Sequence, residues 1–240
     1  MNDSRIQSTS TAIGLTYGSY IIGNIVLIIA ALILGAIGLN LTAQPSLHVL
    51  LSTVLLQGVT YGGIAIIYLK VRNLDFEFVP FSIPSKRDLV ITVIGTVVIL
   101  GLLFVMSSAI SYLGLESAQN KVVEIGQQSP ATFLLLILLS FLLVGPGEEL
   151  LFRGLVQGVL RESFTPARAI VLASALFASL HLFSLTGNGK FVYIGITFVL
   201  ALVLGATYEY TENIIVPSLI HGTYNAIQFA IAYLATTGNV

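Results

Sequence analysis

The 240-residue chain has no cysteine and no tryptophan, and only 9% of its residues are charged. Without cysteine there is no disulfide, no thiolate metal site and no cysteine nucleophile. Soluble domains carry about 25% charged residues. A chain so far below that, with 56% hydrophobic residues and a mean hydropathy of +0.97, needs lipid as the solvent for much of its surface. The formal net charge of −1 supplies no basic field for a nucleic-acid partner. Also missing are an HExxH helix, a serine beside an activating base, any low-complexity tract, and the inverted internal repeat that many transporters show. No charged side chain lies between Arg5 and Lys70. That stretch is far too long for a signal-peptide core, and its first apolar run, 13–39, has no small-residue cleavage signature, so that run reads as an uncleaved first span.

Crossing the hydrocarbon takes about 20 apolar residues. Runs at 13–39, 48–69, 89–115, 131–160, 167–183, 191–208 and 214–235 qualify, which predicts an all-α, polytopic membrane helical bundle of seven transmembrane helices. Gly145-Pro146-Gly147 interrupts the fourth run, and a break there would raise the count to eight. Backbone groups freed at such a break need protein or trapped water, so it points to a polar cavity. Residues 1–130 read as N-terminal transmembrane helices with interfacial loops, and 131–240 as a catalytic core in the same membrane domain. The segment 73–87, with Phe76, Phe78, Phe81, Pro80 and Pro84, suits the headgroup layer. The polar segment 116–130 has room for one short surface helix. Arg5, Lys70, Arg72, Lys86, Arg87, Arg153, Arg161 and Arg168 fall on or toward one side, and Lys121 and Lys190 on the other. Basic residues favour the cytoplasm, which predicts a multi-pass cell-membrane protein with its N-terminus inside.

The informative residues are the polar ones inside these runs: Glu148, Glu149 and Arg153 in the fourth, His181 in the fifth, His221 and Asn225 in the seventh. An ionisable group at mid-membrane costs at least ~2.5–3.5 kcal/mol, and such groups usually face a bundle interior and mark function. Glu149 and Arg153 are four apart and can neutralise one another, so a structural role for that pair is as good a reading as a functional one. Glu148 lies ~100° around the helix from Glu149 and is not the other half of the same bridge. His181 alone would pass for an interhelical hydrogen bonder, and His48 for an interfacial residue. At 1.5 Å per residue, however, Glu148, His181, His221 and Asn225 lie ~18, ~21, ~10 and ~17 Å from the cytoplasmic ends of their runs. Three helices thus bring Glu, His, His and Asn to a common band.

A glutamate can take the proton of a water that it and a histidine hold. A second histidine and an asparagine amide can donate to the oxyanion formed at a carbonyl. Together these roles amount to amide hydrolysis. Two histidines and a carboxylate also make an acceptable zinc set, so a divalent metal such as zinc stays open.

The sequences Glu148-Glu149-Leu-Leu-Phe-Arg153, Phe177-Ala-Ser-Leu-His181 and His221-Gly-Thr-Tyr-Asn225 reproduce, in order, EExxxR, FxxxH and HxxxN. The triplet resembles the CPBP family of intramembrane proteases (CAAX processing and bacteriocin processing, or Abi), over roughly residues 131–235. Gly154 and the lead-in from Pro217 to His221 fit as well. The resemblance implies that Glu148 and His181 activate water and that His221 and Asn225 stabilise the tetrahedral intermediate. It makes Glu149, Arg153 and Phe177 supporting residues, with Phe177 packing one turn before His181. Family members are described both as metalloproteases and as glutamate peptidases. The implied substrate is a membrane-anchored or prenylated (CAAX-type) protein within the bilayer. The stretch from Tyr208 to Asn213 departs from the family pattern, where an arginine and a Thr-Gly pair are common. A non-catalytic immunity or scaffold protein and a proton-coupled transporter are the competing readings.

Overall fold

In the computed structural model of the chain, residues 2–238 are described, most of them in eight helices. These are α1 (Asn2–Ala36), α2 (Pro45–Arg72), α3 (Lys86–Tyr112), the short α4 (Lys121–Gln128), α5 (Ala131–Arg161), α6 (Pro166–Leu180), α7 (Lys190–Thr211) and α8 (Ile215–Thr237). Helices dominate because in lipid the backbone must satisfy its own hydrogen bonds. Among the described residues, α1, α2, α3, α5, α6 with the 3₁₀ turn that follows it, and α7 are long and apolar enough to cross a membrane, six candidate spans in all. The chain is a multi-pass helical membrane protein. The seventh run also forms a helix, α8, but His221, Asn225 and Gln228 make it too polar to count with the six. Its shelter from lipid comes from α3, α5 and α7, which pack around it.

The outer helices carry the lipid-facing residues. Ile21, Ile25, Ile28 and Leu32 of α1 and Val93, Val97 and Phe104 of α3 are exposed. The most buried span is α5. Its Leu151, Leu155 and Val159 pack with Ala12 of α1, Tyr61 and Ala65 of α2, and Ala173 and Phe177 of α6.

The alternative of a break at Gly145-Pro146-Gly147 does not occur, and α5 runs unbroken through it. A π-helical stretch, Ser140–Val144, ends immediately before Gly145, the residue that precedes Pro146. It changes the hydrogen-bonding register at the place where a proline ring would otherwise collide with a helix carbonyl. The two glycines serve close packing. A Cβ on Gly145 would stand 2.7 Å from the Ser218 carbonyl oxygen of α8, and one on Gly147 would collide with the Gln57 carbonyl of α2. Small residues allow such backbone approach in membrane bundles. Two further π-helical stretches, Val54–Tyr61 in α2 and Leu150–Gln157 in α5, flank the same level.

The polar segments close the two ends. At one end Arg72 pairs with Glu162 at 3.4 Å and Arg161 with Glu209 at 2.8 Å. Asn213 pins the segment 73–85 there, donating to the Ser82 carbonyl at 3.0 Å and accepting from Ser82 N at 3.3 Å. In that segment Phe81 is exposed, whereas Phe78 and Val79 pack against Gly158 and Gly154 of α5. At the other end β1 (Gln119–Asn120) pairs antiparallel with β2 (Leu185–Thr186). The short helix foreseen in 116–130 is α4, capped by Asn120.

Gly147→Ala should therefore cost about 1–3 kcal/mol through overpacking. Gly14→Ala, where no atom lies within 4 Å of the added methyl, should be neutral or mildly stabilising. Thermal unfolding of both variants in detergent checks this, and equal melting temperatures would refute the close-packing account.

Candidate active site

Glu149 and Arg153 leave the same face of α5 and are buried at 0% and 1% exposure. Arg153 Nε lies 3.1 Å from Glu149 Oε2 and Nη1 donates to Oε1 at 3.3 Å. Nη2 donates to the Ala201 carbonyl of α7 at 3.0 Å. The guanidinium carbon stands 4.8 Å over the Phe177 ring, a cation–π contact strengthened by exclusion of water.

The pair is more than a neutralised bridge. Glu149 Oε1 lies 2.8 Å from His221 Nδ1. A carboxylate bonded to arginine can only accept, so His221 Nδ1–H is the donor. This turns Nε2 toward the neighbouring glutamate, and the Glu148 Oε2 oxygen stands 3.9 Å away. The two glutamates thus have different surroundings. Glu149 faces a guanidinium in a closed site, whereas Glu148 keeps 15% side-chain exposure and, among the described residues, has no lysine or arginine nitrogen within 4 Å.

His181 opens the 3₁₀ turn His181–Ser184 at the end of α6. Its Nδ1 lies 3.1 Å from the Phe177 carbonyl, which accepts the Nδ1 proton and leaves Nε2 with its lone pair. The Phe177 ring centre is 4.8 Å from that of His181, 5.9 Å edge-on from His221 and 4.9 Å from Phe152. Phe177 therefore forms a wall shared by both histidines and Arg153. No direct hydrogen bond joins His181 to Glu148 among the described residues. Asn225 lies one turn beyond His221 on α8, half-buried and without a hydrogen-bond partner among the described residues.

Two neighbours were not expected from the sequence. Gln57 of α2 donates from Nε2 to Glu148 Oε1 at 3.4 Å. Tyr193 of α7 sets its ring 6.3 Å from that of His181. A glutamine inside the apolar run 48–69 was a signal of the same kind as the intramembrane histidines; a tyrosine in a hydrophobic helix was none. Among the described residues, no group of three or more His, Asp or Glu side chains is placed to hold a metal ion together. Glu149 is committed to Arg153 and His221, and His181 Nδ1 to a carbonyl.

The fold and this cluster define a polytopic membrane protein with an ionisable centre enclosed among its helices. Residues 130–227 match the model of a family described as Rce1-like, Type II CAAX prenyl endopeptidase. That stretch contains Glu148, Glu149, Arg153, Phe177, His181, His221 and Asn225, so the motif resemblance and the family match coincide. The match supports a CAAX-type intramembrane protease. No curated protein and no solved structure matches the chain.

Arg153→Met alone should destabilise the protein by about 3–5 kcal/mol, because it strands a buried carboxylate. The double variant Glu149→Leu/Arg153→Met should recover much of that loss. Unfolding midpoints of the wild type, both single variants and the double variant in one detergent test this, and additive losses would show that the two charges do not depend on each other.

Proposed function

We propose that the protein is an intramembrane endopeptidase that hydrolyses a peptide bond of a membrane-anchored, CAAX-type prenylated protein. The observation that carries this reading is the contrast between adjacent glutamates. Glu149 is neutralised by Arg153 and orients His221, and Glu148 faces the same histidine as an open carboxylate. The substrate class is supported by the family description and by the location of the site among apolar helices.

In the proposed reaction a water lies between Glu148 and His181, whose Nε2 is free to accept. Glu148 takes one proton as the water oxygen attacks the scissile carbonyl carbon. The electron pair of the carbonyl moves onto its oxygen, which accepts hydrogen bonds from protonated His221 Nε2 and from the Asn225 amide. Collapse of this intermediate breaks the C–N bond, and Glu148 returns the proton to the leaving nitrogen. Glu149 plays for His221 the orienting part that a carboxylate plays for the imidazole of a catalytic triad. The side chains supply every proton transfer in this scheme.

From the bias of basic residues we also infer a cell-membrane location with the N-terminus cytoplasmic. Arg153 is buried, so it says nothing about sidedness. The other basic residues of that group belong to the end that holds the Arg72–Glu162 and Arg161–Glu209 pairs, and Lys121 and Lys190 lie at the end of the β1–β2 pair.

Glu148→Gln should lower cleavage by roughly 10²–10⁴-fold, and Asn225→Ala by roughly 10²–10³-fold, with both proteins folded and inserted. The first measurement compares protein termini in membranes of cells carrying wild type or Glu148→Gln at equal expression. New termini confined to the wild type are expected; identical termini in both would sink the peptidase reading. For orientation, single cysteines can be placed in the cysteine-free chain. An impermeant thiol reagent should label Lys121→Cys but not Lys86→Cys in intact cells, and the reverse pattern would invert the topology.

A further inference from the structure

The family match begins at residue 130, so it does not include α2. Yet α2 supplies a direct neighbour of Glu148. Gln57 lies within the π-helical stretch Val54–Tyr61, a distortion often found at functional sites. Its Nε2 stands 3.4 Å from Glu148 Oε1, while Glu148 Oε2 faces His221 Nε2 at 3.9 Å. Each oxygen of the carboxylate thus has its own neighbour, on α2 and α8 respectively. The approach is built into the backbone. Gly147, the residue before Glu148, lies so close to Gln57 that an added Cβ would collide with its carbonyl oxygen and stand 3.0 Å from its Cβ.

The amide orientation follows from chemistry. An ionised carboxylate only accepts, so the NH₂ group faces Glu148. Gln57 Oε1 is then buried with no hydrogen-bond partner among the described residues. A glutamine that served only to join helices would have both ends engaged. This one is engaged only toward Glu148. Tyr61, one turn further on α2, is also buried and within electrostatic reach of Glu148.

We propose that Gln57 is a positioning residue for Glu148. From α2 it holds the plane of the carboxylate, so that together with His221 it presents the oxygen that takes the proton of the attacking water. The catalytic consequence rests on the peptidase reading; the contact itself does not.

The test uses the full-length protein in phosphatidylcholine nanodiscs, as wild type, Gln57→Leu, Glu148→Gln and the double variant. The first readout is the infrared carboxylate stretching band of Glu148, identified by subtracting the Glu148→Gln spectrum. Gln57→Leu should displace this band, and an unmoved band overturns the proposal whether or not the protein cleaves anything. The second readout is cleavage of a farnesylated peptide ending in a C-a-a-X sequence. Gln57→Leu should lower kcat by about 10- to 100-fold while KM stays within about twofold. In the Glu148→Gln background the same substitution should leave the residual rate unchanged, because Gln57 acts only through Glu148. A loss that persists in full in that background, or a raised KM with kcat kept, assigns Gln57 to the fold or to substrate binding and overturns the proposal. If Gln57→Leu does not fold, Gln57→Asn keeps the amide on a shorter stem and should give the same band displacement with a smaller loss of kcat. A displaced band in a protein whose wild type cleaves no peptide supports the positioning and removes the peptidase reading instead.

Discussion

The buried ion pair of Glu149 and Arg153 is the constraint on which the rest of the structure depends. Neither charge is tolerable alone in an interior surrounded by lipid, since stranding one of them costs several kcal/mol. Each must therefore find all its partners inside the bundle. Arg153 reaches the Ala201 carbonyl of α7 and the Phe177 ring of α6, and Glu149 reaches His221 of α8. One pair on α5 thus sets the register of three neighbouring helices. The polar partners also discriminate against other packings, because shifting α8 by one turn would take the His221 donor away from Glu149.

That register determines where Glu148 points. Adjacent residues on a helix diverge by about 100°, so fixing Glu149 inward toward Arg153 turns Glu148 toward α2 and the open part of the site. The two glycines around Pro146 let α2 and α8 approach from either side until Gln57 and His221 are beside the carboxylate. The polar centre and the tight backbone packing are therefore one construction. Small side chains at 145 and 147 create the room that the larger polar ones occupy.

Much of the site could be read from the sequence because charges in a membrane run stand out against a nearly charge-free background. Glu148, Glu149, Arg153, His181 and His221 were visible for that reason, and the i,i+4 spacing paired Glu149 with Arg153 and His221 with Asn225. Other features were hidden. Gly145-Pro146-Gly147 looked like a helix break, because local propensity cannot register the backbones packed against both glycines. Gln57 was passed over because it is uncharged and sits in an apolar run. Phe177 was seen as a packing residue, but its contact with Arg153 and His221 depends on two other helices. The departure from Tyr208 to Asn213 also has a local use: Glu212 ends α7 in a left-handed conformation, and Asn213 then fastens Ser82.

Composition and hydrophobic run length by themselves determined that this chain is a polytopic helical membrane protein, since apolar segments of that length admit no other solvent and few other conformations. The motif spacing named Glu148, Glu149, Arg153, Phe177, His181, His221 and Asn225 as candidate site residues. Only the tertiary structure decided which glutamate is neutralised and which is open, which histidine nitrogen faces which carboxylate, and that α2 reaches the site at all. Those outcomes depend on the rotation and approach of neighbouring helices, set by packing between residues far apart in the chain, and no local pattern encodes them.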